Sequence, residues 1–308
     1  PNGNQVEAYA QYRSSPEGGG YHTTILDIDQ LTDQFAFGIK RHPHAIKNFV
    51  QFAGDVFRQK PAAIFSIGKG VNYIDARTQQ ANPLLKQLNL VPPFGHPASD
   101  NLLATRGDET IPSIPIGRLS AIRGEEIEIY LEKIKQYEAV AANAPQTAEG
   151  RAWMKNIVHA IGGGDVELSA QIGGYMNQLR SRIEDTLFGG HVMNFTKSPA
   201  VTSDLTGPDL KRLFAEGIGI LNYFGHSSAS TLEFNIDDPS VYDNQGKYPF
   251  FFVNGCLAGD IFTFDVNRPN VITSLSEKYT FAKERGSIVF IASSHFGIVN
   301  YLNSYLTG

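Results

Sequence analysis

The ten residues GIGILNYFGH, positions 217–226, decide the fold. A short apolar run closed by a glycine reads as a strand buried on both faces, the form a strand takes inside a parallel sheet. Working outward, residues 206–216 read as a helix capped by Thr206 or Asp204. PFFFVNGC, residues 249–256, repeats the apolar run and ends at Gly255 and Cys256. Residues 271–284 read as a helix, and 287–292 as a strand ending at Ser293-Ser294-His295. Upstream, a strand at 156–161 leads into Gly162-Gly163-Gly164. A helix at 167–188 is stopped by Gly189 and Gly190, and 192–195 is a further strand. This alternation predicts an α/β fold with mainly parallel sheets flanked by helices.

The first half alternates in the same way. Strands are predicted at 22–28, 62–67 and 114–119, and helices at 44–57 and 124–140. In the last helix Ile127, Tyr130, Leu131, Ile134 and Tyr137 form one apolar stripe, with Glu and Lys opposite. The polar, alanine-rich segment 141–150 divides the chain into an N-terminal subdomain, 1–145, and a C-terminal subdomain, 146–308.

Composition narrows the function. The chain has 308 residues, 42% hydrophobic and 19% charged, which excludes disorder as the main state. Against 26 Lys and Arg stand 31 Asp and Glu, a net charge of -5, so nucleic acid is not expected as a main partner. No run of 18 apolar residues occurs, and no transmembrane segment is predicted. A single cysteine, Cys256, excludes an internal disulfide framework and a thiolate-rich metal site. The chain opens at Pro1 without an initiator Met and stops inside a predicted helix, so it reads as a fragment or processed domain.

Ligands bind open α/β sheets beyond the carboxyl ends of the strands. Three such ends carry reactive residues: His226, Cys256 and His295. If the first two strands are neighbours, a thiol and an imidazole meet at one edge. That is the minimal nucleophile and base pair, because an adjacent imidazolium favours the thiolate. The amides of Cys256 and of Ser227 or Gly225 are candidate oxyanion donors. His295, Ser294 and Gly255 are candidates for lining the substrate cleft. The opposing reading is that a lone cysteine after an apolar strand is a small buried core residue.

At these residues the chain resembles the gingipain-type cysteine peptidases, a caspase-like family that also includes the sortase of the Bacteroidetes type IX secretion system. The resemblance rests on Asn222-Tyr223-Phe224-Gly225-His226-Ser227-Ser228, on residues 249–260 and on residues 286–294. Upstream it rests on Asp27-Ile28-Asp29, residues 45–49, Ile116-Gly117-Arg118-Leu119 and residues 135–138. It implies two adjacent caspase-like α/β subdomains, with His226 and Cys256 as a catalytic dyad. The implied activity is that of a cysteine endopeptidase, or of a sortase-like transpeptidase, acting on secreted proteins through a thioester acyl-enzyme. The implied location is secreted, or the outer-membrane surface of a Gram-negative bacterium, with other type IX components as further partners.

Two departures favour an alternative, a non-catalytic peptidase-like scaffold that binds protein segments at the cell surface. Ser227 replaces the family's glycine after the histidine. Ile161 stands where gingipains carry an acid before a Gly-Gly pair, and Asp165 and Glu167 are the acids close by. The acid that gives some gingipains a basic substrate preference is not located by the residues, so Arg or Lys specificity is not predicted.

The remaining candidates have ordinary readings. No cofactor is required by the dyad, and Asp237, Asp238, Asp243 and Asn244 offer oxygens for a structural calcium ion or, more simply, Asx-turns. His159 reads as structural. His42 and His44 flank Pro43 at a helix start. Gly162-Gly163-Gly164 lacks the Gly-Lys-Ser/Thr ending of a phosphate loop, and Gly68-Lys69-Gly70 is a weaker match. Asp100 reads as a cap or turn residue.

Overall fold

The computed structural model describes residues 4–198, 201–202, 207–234 and 236–307. The cap candidates Thr206 and Asp204 lie outside them. The chain forms two compact units, Pro1–Glu128 with Ile261–Val271, and Ile129–Asp260 with Ile272–Gly308. The division falls inside the helix Gly124–Asn143, not after it at residue 145. Beyond Glu128 that helix is bonded into the second unit. The buried Lys133 ammonium donates to the carbonyls of Tyr279, Thr280 and Ser287, and Tyr130 Oη donates to Ile288 O at 3.2 Å.

In the first unit, strands β1 (Ile64–Ile67) and β2 (Ile116–Leu119) pair in parallel. The helix His44–Val56 packs Ile46 and Val50 against Leu103, Ala104 and Ile114. Asp100 stands at the N-cap position of the 3-10 turn Asn101–Leu103, but its side chain does not cap that turn. Its carboxylate takes Nε and Nη2 of the buried Arg118, both at 2.7 Å, while Nη1 holds the carbonyls of Gly68 and Val91. Lys69 is buried and donates to Ile261 O, so its glycines frame a structural lysine. Residues 22–27 are exposed and form no strand. Asp27 accepts the N–H of Asp29 and starts the helix Ile28–Phe35 instead.

The second unit is built on a six-stranded sheet. Its strands are β3 (Asn156–Gly162), β4 (His191–Ser198), β5 (Val201–Thr202), β6 (Ile220–Phe224), β7 (Phe250–Asn254) and β8 (Val289–Ala292), in the order β5-β4-β3-β6-β7-β8. All neighbours are parallel except β4 and β5. The pleat sends alternate residues to two cores. Val158, Ala160, Leu221, Tyr223, Phe251 and Val253 pack with residues of the helices Gly207–Glu216 and Leu275–Phe281. Ile161 and Phe224 face the opposite side, with Ile172 and Met176 of the helix Val166–Ile183 and, from Val299–Thr307, Leu302 and Leu306. Leu275–Phe281 is shorter than expected at both ends; at its C-terminal end Lys133 collects the carbonyls of Tyr279 and Thr280.

His159 is fully buried on β3, and neither ring nitrogen has a good hydrogen bond among the described residues. Burial pushes its pKa from 6.5 down to about 4, and Asn194, its register partner on β4, offsets this only in part. Above about pH 6.5 the ring is neutral folded or unfolded. As pH falls toward 4 only the unfolded chain takes the proton, so stability is lost across that window, by about 3 kcal/mol at most. Urea titrations at pH 7 and pH 4 measure this. The acid loss is expected to shrink by roughly that amount in His159→Leu; equal losses in both proteins would refute the assignment.

Candidate active site

β6 and β7 pair from Ile220↔Phe250 to Phe224↔Asn254. His226 and Cys256 each lie two residues past that last pair, at one carboxyl edge of the sheet. Alternation carried past Phe224 and Asn254 sends both side chains toward the helices Val166–Ile183 and Val299–Thr307. Their contacts agree. His226 Nε2 rests on Gly164, 3.0 Å from where a Cβ would stand. Cys256 Sγ accepts the N–H of Gly297 at 3.4 Å. Gly164 leads into the first of these helices and Gly297 into the second. The imidazole residue is exposed and the thiol residue half-buried, so Cys256 is not a core cysteine.

The two strand ends are tied together beyond the ladder. Gly225 N–H donates to Asn254 O at 3.2 Å, and Ser227 Oγ donates to Cys256 O at 2.8 Å. The Gly225 amide is therefore engaged and leaves the set of oxyanion candidates. The amides of Ser227 and Cys256 make no hydrogen bond to another described residue. Gly255, a candidate for lining the cleft, is buried, and a Cβ there would meet Ser227 Oγ at 2.1 Å and Gly225 O at 2.8 Å. Glycine is needed so that the strand ends can close.

The turn after Cys256 is strained. Leu257 has φ +61°, and its N–H is held by His295 O at 2.9 Å. A non-glycine residue in the left-handed region costs about 1–2 kcal/mol, and such strain gathers at functional turns. The exposed His295 ring meets Phe296 edge to face at 4.8 Å, and Ser294 is half-buried beside it.

A sequence profile of peptidase family C25 matches residues 3–308. The chain belongs to peptidase family C25.

Solved structures share the fold. One, the complex of the Porphyromonas gingivalis RgpB pro- and mature domains, superposes with a TM-score of 0.67 at 16% identity over 97% of this chain. Another, the Arg specific cysteine proteinase gingipain R, gives 0.58 at 18% identity over 83%. The chain spans 63% and 54% of those two structures' own lengths. No curated protein matches it.

In this C25 chain the end of β3 carries no acid. Ile161 is buried in the smaller core, Asp165 caps the next helix by accepting Leu168 N–H at 2.7 Å, and Glu167 is exposed. The glycine run is a seat rather than a phosphate loop. A Cβ on Gly162 would lie 2.0 Å from Glu233 Oε2, one on Gly163 2.3 Å from Ser169 Oγ, and one on Gly164 against His226. Glu233 is the residue that sequence reasoning missed. Its signal is the hydroxyl-rich turn Ser228–Thr231, closed by Ser228 N–H to Thr231 O at 3.0 Å, which folds the chain back so that Leu232 bridges Ser227.

The other candidates are occupied locally. Asp237 Oδ1 accepts Leu232 N–H at 2.7 Å, Asp238 Oδ1 accepts Ser240 N–H at 2.8 Å, and Asn244 is bonded to Lys247 and Gly286. The aspartate bonds hold local turns, Asn244 ties its loop to Gly286 further along the chain, and no cluster of three or more metal-ligating side chains occurs among the described residues. His42 Nδ1 accepts His44 N–H at 3.2 Å, a bond that opens the helix. No helix among the described residues is long and apolar enough to cross a membrane.

Proposed function

We propose that this chain is the peptidase domain of a cysteine endopeptidase, with Cys256 as nucleophile and His226 as general acid and base. The observation that carries the reading is that parallel neighbours β6 and β7 deliver both residues to one edge and one face. His226 takes the thiol proton, Sγ attacks the peptide carbonyl, and the amides of Ser227 and Cys256 receive the oxyanion. His226 passes a proton to the departing amine as the C–N bond breaks, leaving a thioester. Water then releases the acid; in a sortase-like reaction an amine takes the acyl group instead, and the steps up to the thioester are shared. The chemistry needs no cofactor. Substrates would be proteins or peptides outside the cytoplasm or at an outer-membrane surface, and other type IX components are partners consistent with the resemblance.

Labelling with a peptidyl acyloxymethyl ketone library tests this. The adduct is expected on Cys256, lost in Cys256→Ser and slowed about a hundredfold or more in His226→Ala. A scaffold without catalysis predicts no adduct, or one indifferent to His226. An added labelled amine that enters the product would select transpeptidation.

A further inference from the structure

We propose that Glu233 is a positioning residue for His226, holding the turn that carries the imidazole through Tyr223 and through its own seat on Gly162. The inference rests on the peptidase reading above.

Three observations meet at one point. The Glu233 carboxylate occupies the space a side chain on Gly162 would fill. The Tyr223 hydroxyl stands beside the same bare Cα, 3.2 Å from that Cβ position, and donates to the carbonyl of His226. The N–H of Glu233 points at this hydroxyl from 3.4 Å. Gly162, Tyr223 and Glu233 thus form one cluster below the His226 turn, while the ring rests two residues further along the same glycine run, on Gly164.

The cluster is held from outside as well. Lys197 Nζ donates to Glu233 O at 2.6 Å, and Asp237 fixes the N–H of the preceding Leu232. Burial, and next the negative charge of Glu233, raise the pKa of Tyr223, so the phenol keeps the proton it donates to His226. Glu233 Oε2 is itself buried with no hydrogen bond among the described residues. A buried acceptor without a donor is costly, and native proteins keep such groups where a site requires them. With Ile161 in the core, the carboxylate at this end of β3 comes from a different loop than the residue order suggests.

The test compares Glu233→Ala, Glu233→Gln and Gly162→Ala with the parent, reading rate constant and affinity separately for a peptidyl ketone that labels Cys256. Gly162→Ala evicts the carboxylate without touching it. Both alanine variants are expected to lower the rate constant about tenfold with affinity unchanged, because a misplaced catalytic group slows chemistry more than binding. Glu233→Gln keeps the shape and is expected to recover to within about threefold of the parent. Equal rates in all four proteins would overturn the proposal, as would a Gln variant as slow as Ala. A parallel fall in thermal midpoint and in labelling by iodoacetamide would also overturn it, since that marks general damage. If the parent takes no peptidyl label, the peptidase reading fails first and this one with it; a labelled parent with unmoved variants sinks the Glu233 role alone.

Discussion

Replacing His226 with alanine is expected to slow cleavage of a peptide chosen by the labelling experiment by about 10⁴-fold or more, replacing Cys256 with alanine to slow it as far, and the double variant to be no worse than either single. Groups that act as a unit behave this way: once the nucleophile is gone, nothing remains for the base to do. The physical basis is the shared edge. His226 and Cys256 stand the same two residues past Phe224 and Asn254, and Ser227 Oγ locks one turn to the other through Cys256 O. Steady-state rates of the three variants decide the matter. Losses that multiply in the double variant would show two independent roles, and the dyad would have to be abandoned.

Glu126→Ala is expected to destabilise the first unit by about 3–5 kcal/mol. The Arg268 side chain is 1% exposed and that of Glu126 6%. Nη1 reaches Oε1 at 2.7 Å and Nη2 reaches Oε2 at 3.1 Å, with Ser120 O taking a further bond at 3.2 Å. Glu126 Oε2 also accepts Ile122 N–H at 2.7 Å, just ahead of the helix that begins at Gly124. Removing the carboxylate strands a guanidinium in the interior. Removing both charges, as Glu126→Leu with Arg268→Met, is expected to cost far less, since an apolar pair of similar volume replaces a buried ion pair without leaving a charge behind. Chemical denaturation of the single and double variants measures the difference. A single variant within about 1 kcal/mol of the parent would show that the pair is not supporting the unit.

Much of this was legible in the residues. GIGILNYFGH and PFFFVNGC read correctly as strands because a parallel sheet buries both faces, and a short apolar run bounded by glycine fits a strand in it. HTTILDI failed by the same logic. Residues 22–27 are exposed and pair with no strand among the described residues, and the Asp27 side chain caps a helix that begins at Ile28. Strand order is a long-range property, so that β6 and β7 are neighbours could only be supposed from the pattern. Glu233 was invisible for a related reason: its seat is a glycine on β3, and no local spacing links the two. The polar, alanine-rich segment suggests a linker at residue 145, whereas the compact units part inside the helix Gly124–Asn143. What decides the matter is where Tyr130, Lys133 and Arg268 place their donors.

The first unit owns eleven residues, Ile261–Val271, that arrive only after the chain has passed through Cys256. A polypeptide ending at Glu128 would therefore lack the guanidinium of Arg268 that Glu126 binds. Split-protein or permuted versions would have to carry both pieces, and a nascent chain cannot complete this unit until synthesis has passed Val271.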